Sequence, residues 1–455
     1  MDKQAKISFY GGTGSVTGAN FLLEIDGKKI LIDCGLVQGF KLADDVNWDT
    51  FPYETQAVDF LFITHAHVDH IGRIPKLIHE GFKGKIYSSE PTKALAPAML
   101  ADTMGILSKN KEFNLDEIYT EENISTALSS WEGFPYHTNI KITDKLEATL
   151  YDAGHILGSA MIVFTYNGKK IMFTGDLGNS PSPLLRDTEI VKGIDYLIME
   201  SVYGDRNHES RDDRRKLLER VIEDNYKRKG TLIIPIFSLE RSQELLFELN
   251  ELVENHRIPV MPIFLDSPLA IRLTEVFKQF KNYFNEHAQK AVSNDKHIFD
   301  FPGLHSTLHS EESKLINEVP SPKVIIAGSG MSSGGRVVHH EKHFLPDPST
   351  TLLLLGYQTV GSPGRMIQEG LKKVKIYGEE INIKAHIETI YGYSGHKDSD
   401  GLIDFVEEMQ ESLKKVFVVM GEPKSSMFLV QKFRDNLGID AVAPERGDSV
   451  TLDLG

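Results

Sequence analysis

The segment "FLFITHAHVDHIG" (residues 60–72) sets three histidines and an aspartate within six residues, directly after an apolar stretch. Neutral imidazole nitrogens and carboxylate oxygens are the donors that zinc accepts, and the alternation of His65 and His67 puts both on one side of an extended chain. Asp69 and His70 follow where the chain turns into an expected helix around Ile71–His79, so they face a second point in space. Two more donors stand at strand-to-loop junctions, His155 in "YDAGHILGSA" and Asp176 in "FTGDLGN". Alone, His155 reads as an ordinary loop histidine and Asp176 as a turn former. Together with the His65–His70 cluster they make six nitrogen and oxygen donors at strand ends, which reads as a metal site.

The elements that must carry these donors are partly legible. "FLLEIDGKKILIDCG" (21–35) and "MIVFTYNGKKIMFTGD" (161–176) share one pattern: strand, Asp-Gly or Asn-Gly, Lys-Lys, strand. Asp-Gly and Asn-Gly suit a two-residue hairpin turn, in which both positions take positive φ. Each second strand ends in an aspartate, Asp33 or Asp176, which suggests a duplicated β unit whose strand ends converge on one edge. After residue 203 the texture changes. "GTLIIPIF" (230–237), "IPVMPIFL" (258–265), "PKVIIAG" (322–328) and "TTLLLLGY" (350–357) are near-continuous apolar runs alternating with loops and helical patterns such as "ERSQELLFELNELV". That alternation implies parallel strands covered on both faces. The expected organisation is a first domain from 1–203 and 385–455, interrupted by an α/β insert at about 204–384.

Composition bounds the function. At 455 residues the chain is too long for one ordinary core. Its 40% hydrophobic and 25% charged residues suit a soluble globular protein, and no apolar run reaches transmembrane length. No membrane partner is expected. The N-terminus, "MDKQAKISFYGG", reads straight into a strand without a signal peptide. A single cysteine, Cys34, excludes internal disulfides and points to a reducing, cytoplasmic setting, with Cys34 itself a buried, inert thiol. The net charge of −15 argues against non-specific coating of nucleic acid, though it leaves room for a nuclease with a local basic groove.

The donors also carry a resemblance. "THAHVDHIG" resembles the HxHxDH signature of the metallo-β-lactamase fold, with Asp33, His155 and Asp176 spaced like that family's other metal-edge motifs. The insert extends the likeness to the β-CASP nucleases. "MESVYGDR" puts Glu200 at the acid of their motif A, "YGYSGHKD" puts His396 at the histidine of motif B, and "GSGMSSGGRVVHHEKHFLPDP" and "GYQTVGSPGR" are similar to their glycine-rich loops. The match runs through nearly the whole chain and favours the RNA-processing members, the RNA exonucleases and the relatives of the cleavage and polyadenylation endonuclease.

The resemblance implies an αββα metallo-β-lactamase sandwich with an inserted parallel-sheet β-CASP domain. It implies one zinc on His65, His67 and His155, a second on Asp69 and His70, and Asp176 between them. Asp33 would orient a liganding histidine, since metal-bound imidazoles usually need a carboxylate partner. His396 would donate a proton to the leaving oxygen, and Glu200 would orient neighbouring donors. In "GSGMSSGGR" (328–336), glycines between strand and helix suggest a cradle for a substrate phosphate, with Ser332, Ser333 and Arg336 as contacts and Arg365 as another. The loop lacks both GxGxxG spacing and a P-loop lysine, so no nucleotide cofactor is expected. His339, His340 and His343 read as a solvated or interdomain helix face, and His386 as a core residue.

One position departs from the pattern. RNA-acting relatives supply a last ligand from the histidine of a "VHGE" motif; here "VFVVMGEP" has Met420. A thioether is a soft, neutral donor and a poor partner for zinc, so the second site is expected to be weak. The resulting reading is a zinc-dependent hydrolase of phosphodiester bonds in single-stranded RNA, threaded between the domains, with a homodimer among the expectations. The rivals are a DNA nuclease of the same fold and an RNA-binding paralogue with weakened catalysis.

Overall fold

The computed structural model describes residues 4–38, 43–108, 115–208, 214–294, 297–356, 358–359 and 361–455. The described part of the "GYQTVGSPGR" loop therefore omits Tyr357 and Val360, and the N-terminal reading begins at Gln4. The chain divides into two compact units, one of 1–207 with 396–455 and the other of 208–395.

Both expected hairpins form in the first unit. Asn20–Ile25 pairs with Lys28–Ile32, and Ala160–Tyr166 with Lys169–Phe173, each antiparallel. Asp26 and Gly27 take φ of 50° and 71°, and Asn167 and Gly168 take 50° and 81°, as the tight turn requires. Each hairpin is the centre of its own seven-stranded sheet. In the first sheet, Gln4–Gly11 lies between Asn20–Ile25 and Ser449–Asp453, so the last strand of the chain pairs with the first. In the second, Tyr196–Met199 and Lys415–Val418 continue in parallel from Lys169–Phe173.

The sheets share one buried core, in which Phe9, Phe21 and Phe62 of the first meet Phe164, Phe173 and Phe417 of the second. Phe62 and Phe164 pack edge-on with ring centroids 5.1 Å apart. Residues of the opposite parity in the second sheet, Met161, Met172 and Leu197, pack against Leu402 and Phe405 of helix Ser399–Glu407 and Leu429 and Phe433 of helix Pro423–Leu437. The period-two alternation of the strands thus feeds two cores, one between the sheets and one under helices.

The second unit is built on six strands, all paired in parallel, in the order Leu304–Ser306, Ile263–Asp266, Lys323–Ala327, Thr231–Pro235, Thr351–Leu355, His386–Ile390. Every residue of Thr231–Pro235, Lys323–Ala327 and Thr351–Leu355 is buried, which explains their unbroken apolar runs. The strand expected from residue 258 starts only at Ile263, because Pro259 and Pro262 cannot donate to a ladder. At the other end, the pairing of His386–Ile390 with Thr351–Leu355 carries this unit past the expected boundary at 384 to Gly395. As the edge strand it leaves His386 exposed, where a core position was expected. Among the described residues no helix is long and apolar enough to cross a membrane.

Candidate metal centre

The first unit gathers the sequence-predicted donors at the ends of its central strands. Phe60–Phe62 is followed by Ile63, Thr64 and His65, with a bend at Thr64; helix Val68–Ile71 then carries Asp69 and His70, and the His70 ring returns to lie 3.9 Å, centroid to centroid, from that of His65. The helix thus begins earlier than expected, with His67 as its extended N-cap, and a second helix covers Ile74–His79. Two glycines let the donor loops approach each other. A Cβ on Gly35 would lie 1.4 Å from the carbonyl oxygen of Asp69, and one on Gly178 would lie 1.8 Å from that of Gly154, beside His155. The equivalent junctions after the two hairpins therefore brace the two donor loops.

His65, His67, His155 and Asp176 present one donor atom each within 4.8 Å of one another. His65 Nε2 is 3.1 Å from His67 Nδ1 and 3.4 Å from Asp176 Oδ2; His155 Nε2 is 3.3 Å from His67 Nδ1 and 3.6 Å from Asp176 Oδ2. A tetrahedron of nitrogen and oxygen ligands about 2.0–2.1 Å from a zinc ion has edges of roughly 3.3–3.4 Å. The four donors already span such edges.

Protonation states suit a cation. Burial holds His65 below its ordinary value, and His67 and His155 well below, so all three stay neutral with a lone pair to offer. Burial alone would raise Asp176, but His70 and His65 outweigh it and hold the carboxyl well below the usual range.

His70 is set by two carboxylates. Asp33 Oδ2 lies 2.7 Å from its Nδ1, while Nε2 faces Asp176 Oδ1 at 3.4 Å and Asp69 Oδ2 at 3.9 Å. His70 Nε2 and Asp176 Oδ1 are both buried without a hydrogen-bond partner. Such a facing pair is costly unless something fills the space between them, and a divalent cation would satisfy both. Burial opposes charge on His70, yet Asp176, Asp33 and Asp69 together push its pKa well above the ordinary value. Burial pushes Asp69 up, against the pull of His70.

Glu200 and His396 join the cluster from the other side, forming with Asp176 a second set of close donors. Glu200 Oε1 accepts from the Leu177 amide at 2.5 Å and lies 3.3 Å from His396 Nδ1, and Oε2 accepts from the Val202 amide at 3.3 Å. Burial raises Glu200, with His396 opposing. Burial acts against His396 as well, but Glu200 and Asp176 lift it to about 9. His396 is fixed by a β-bridge to Gly178, the same segment that carries Asp176.

Thr64 was not anticipated. Its amide donates to Asp33 Oδ1 and its hydroxyl to Asp33 Oδ2, each at 2.8 Å, and the same hydroxyl oxygen lies 3.1 Å from His65 Nδ1. It thereby fixes which nitrogen of His65 keeps the proton and leaves Nε2 for the cluster. Its position directly before HxH was the available signal. Met420 belongs to the inter-sheet core, where its sulfur lies against Gly12 beside the ring of Phe21, and it lines a cavity of about 10 Å³ with Asp33, Thr64 and Glu200.

The substrate contacts expected from the glycine-rich loops lie in the second unit and are largely committed within it. Ser332 is buried and donates to Glu341; Arg336 donates to Asp266 at 2.7 Å and to the carbonyls of Thr307 and Leu308; Arg365 pairs with Glu369 at 2.7 Å. Ser333 is exposed, its hydroxyl 3.1 Å from that of Ser329. Cys34 is fully buried and its thiol is pushed up to about 12, as an inert core residue would be.

With this geometry established, comparison with known proteins assigns the family. Residues 22–201 match the metallo-beta-lactamase superfamily domain, 242–367 the Beta-Casp domain, and 380–444 the Zn-dependent metallo-hydrolase RNA specificity domain. The chain is 35% identical to Ribonuclease TTHA0252 of Thermus thermophilus over 421 residues, covering 92% of this chain and 94% of that protein. The chain belongs to the β-CASP metallo-hydrolases. An RNase J-like protein of Methanocaldococcus jannaschii is 32% identical over 97% of this chain and 98% of its own length, and the transcription termination factor FttA of Methanosarcina mazei is 29% identical over 99% and 72%. A crystal structure of a protein of unknown function from Enterococcus faecalis shares the fold, with a TM-score of 0.61 at 12% identity over 99% of this chain and all of that one. Membership makes the chain a metal-dependent hydrolase, and the β-CASP family implies a divalent metal at the His/Asp cluster.

Proposed function

We propose that this β-CASP protein is a cytoplasmic zinc-dependent ribonuclease that hydrolyses phosphodiester bonds of single-stranded RNA. The observation that carries the reading is the set of tetrahedral edges, 3.1–3.6 Å, drawn by His65, His67, His155 and Asp176. All-nitrogen-and-oxygen donors at that spacing suit zinc. The RNA specificity domain and the ribonucleases among the relatives support RNA as substrate.

In this reading His65, His67, His155 and Asp176 would hold one ion, and Asp69, His70 and Asp176 a second. Divalent ions held there would supply an activated water near neutral pH and positive charge for the phosphate oxygens. The protein's own residues do the rest. Asp33 locks Nδ1 of His70 and Thr64 locks Nδ1 of His65, so each ring presents Nε2 inward. Glu200 holds His396 Nδ1 and keeps the imidazolium charged near neutrality, the form that gives a proton to the departing sugar oxygen. Asp69, its Oδ2 3.9 Å from His70 Nε2, completes the second set of donors.

The test is incubation of metal-quantified protein with end-labelled single-stranded RNA and DNA, beside His67→Ala and Asp69→Ala. Cleavage of RNA by the wild type, lost in both variants without unfolding, is the expected result. Cleavage of DNA alone would assign the substrate otherwise, and binding of RNA without cleavage by the zinc- or manganese-loaded wild type would leave an RNA-binding protein.

A further inference from the structure

A cleft of about 460 Å³ opens between helix Ser310–Leu315, with the turn that follows it, and helix Val337–Phe344. It is built entirely within the second unit. In a chain of net charge −15, three histidines, two lysines and an arginine line it together with two serines and an asparagine, and none of these lining residues is acidic. A concentration of cationic groups this local points to an anionic ligand.

The wall is pre-organised from behind. Asp266, fully buried, accepts from Arg336 at 2.7 Å, His340 Nε2 at 2.7 Å and the Ser313 hydroxyl at 2.6 Å. Three lining side chains are thus fixed by one carboxylate that the cleft itself does not expose. The mouth is looser. Lys342 pairs with Glu379 and Lys314 with Glu311, whose side chains are 63% and 78% exposed. Pairs as solvated as these yield readily to a better anion.

Two lining residues need more than negative charge. His340 gives Nε2–H to Asp266, so in its neutral form Nδ1 is an acceptor, and that atom is buried without a partner; so is Oδ1 of Asn317. Unpaired buried acceptors call for O–H or N–H donors. A carboxylate supplies none. A sugar phosphate brings oxyanions for the rim and hydroxyls for the wall, and the volume falls in the range of small-ligand sites, roughly 300–1,000 Å³.

We infer that this cleft binds the ribose-phosphate unit of a nucleotide, either free or carried in an RNA chain. The inference stands apart from the hydrolase reading, since it invokes neither the metal centre nor turnover.

It is tested by calorimetric titration of the metal-loaded full chain, wild type, Lys342→Gln/His343→Gln and Asn317→Ala, with AMP, inorganic phosphate, a phosphorothioate oligoribonucleotide and an oligoglutamate peptide. These substitutions lie at the rim and in a turn, and unchanged thermal unfolding confirms that each variant is folded. AMP affinity should fall about tenfold or more in the rim variant, and in Asn317→Ala as well, as expected for loss of charge-assisted or buried hydrogen bonds. Inorganic phosphate should bind more weakly than AMP and be indifferent to Asn317. A loss seen with the oligoribonucleotide but not with AMP would assign the site to an RNA chain; a loss with AMP would assign it to the free nucleotide. Equal affinities of all three proteins for both, no binding of either, or binding of phosphate or oligoglutamate as tight as that of AMP, would overturn the inference.

Discussion

Asp33 and His70 meet at 2.7 Å, carboxylate Oδ2 against imidazole Nδ1, with both side chains almost completely buried. The contact joins the end of strand Lys28–Ile32 to helix Val68–Ile71 and aims His70 Nε2 at Asp176. The fold thus uses the aspartate after its first hairpin to direct His70, and the aspartate after its second hairpin to face it.

This relationship predicts the effect of Asp33→Asn. The amide keeps the volume but loses the charge, and it can place an N–H against the donors that Asp33 now accepts from, the Thr64 amide, the Thr64 hydroxyl and His70. Metal affinity should fall by ~10–100-fold. Competition against a chromogenic chelator measures it directly, and an unchanged affinity would show that His70 needs no carboxylate to stay in place.

His396 offers a second prediction. Its position 3.3 Å from Glu200 and 3.9 Å from Asp176 places it beside the donors rather than among the four that outline the tetrahedron. His396→Ala should lower kcat by ~10²–10⁴-fold with little change in RNA affinity, the signature of a lost proton donor. Parallel losses in single-turnover rate and in equilibrium binding would make it a phosphate anchor instead.

Much of this site was readable from the chain. His65, His67, His155 and Asp176 each follow an apolar strand, and polar donors at the ends of buried strands have few other reasons to cluster. The hairpins were readable for a similar reason, since Asp26-Gly27 and Asn167-Gly168 allow one tight turn geometry. Direction was harder. Ser332 and Arg336 sit in a loop without periodicity, so nothing in the sequence says that they point to Glu341 and Asp266. His386 looked like core because its strand is flanked by apolar residues, but burial depends on strand order, and that strand is at the edge. Asp266 itself, the acceptor for four side chains, is a strand-end aspartate just as Asp33 is; only the tertiary fold separates a ligand-orienting role from a structural one.

Glu341 supplies a pH prediction. It is buried, accepts from Ser332, and burial raises its pKa from 4.5 to about 7. The folded state therefore holds this proton more tightly than the unfolded chain does. Its stabilising contribution is complete below the unfolded value and is lost as pH rises toward 7, a swing of roughly 3 kcal/mol from the size of the shift. Glu341→Gln should be near-neutral at about pH 5 and stabilise the second unit by up to about 3 kcal/mol at about pH 8. Hydrogen exchange of helix Val337–Phe344 at the two pH values reads the difference. A variant that loses protection equally at both would mean that the carboxyl works as an ionised acceptor.

Met420 supplies a prediction on how many ions the centre would hold. Its backbone, at φ 47°, turns the chain after strand Lys415–Val418, and its amide donates to the Gly12 carbonyl at 2.6 Å. The thioether follows that turn into the core against Gly12 and Phe21, leaving Asp69, His70 and the shared Asp176 as the second set of donors. Losing a ligand should cost at least the ~10–100-fold that losing its hydrogen-bond partner costs. One tightly held zinc and a weak second site are therefore expected. A histidine tolerates positive φ better than most residues, and at 420 it would have the small cavity bounded by Asp33, Thr64 and Glu200 beside it. Met420→His should raise the zinc retained under metal-limited purification from near one toward two equivalents per chain, as read by elemental analysis, and raise RNA cleavage at limiting zinc. Full occupancy of both sites in the wild type under the same conditions would show that Asp69, His70 and Asp176 suffice with water as the fourth donor, and would remove Met420 from the account of metal binding.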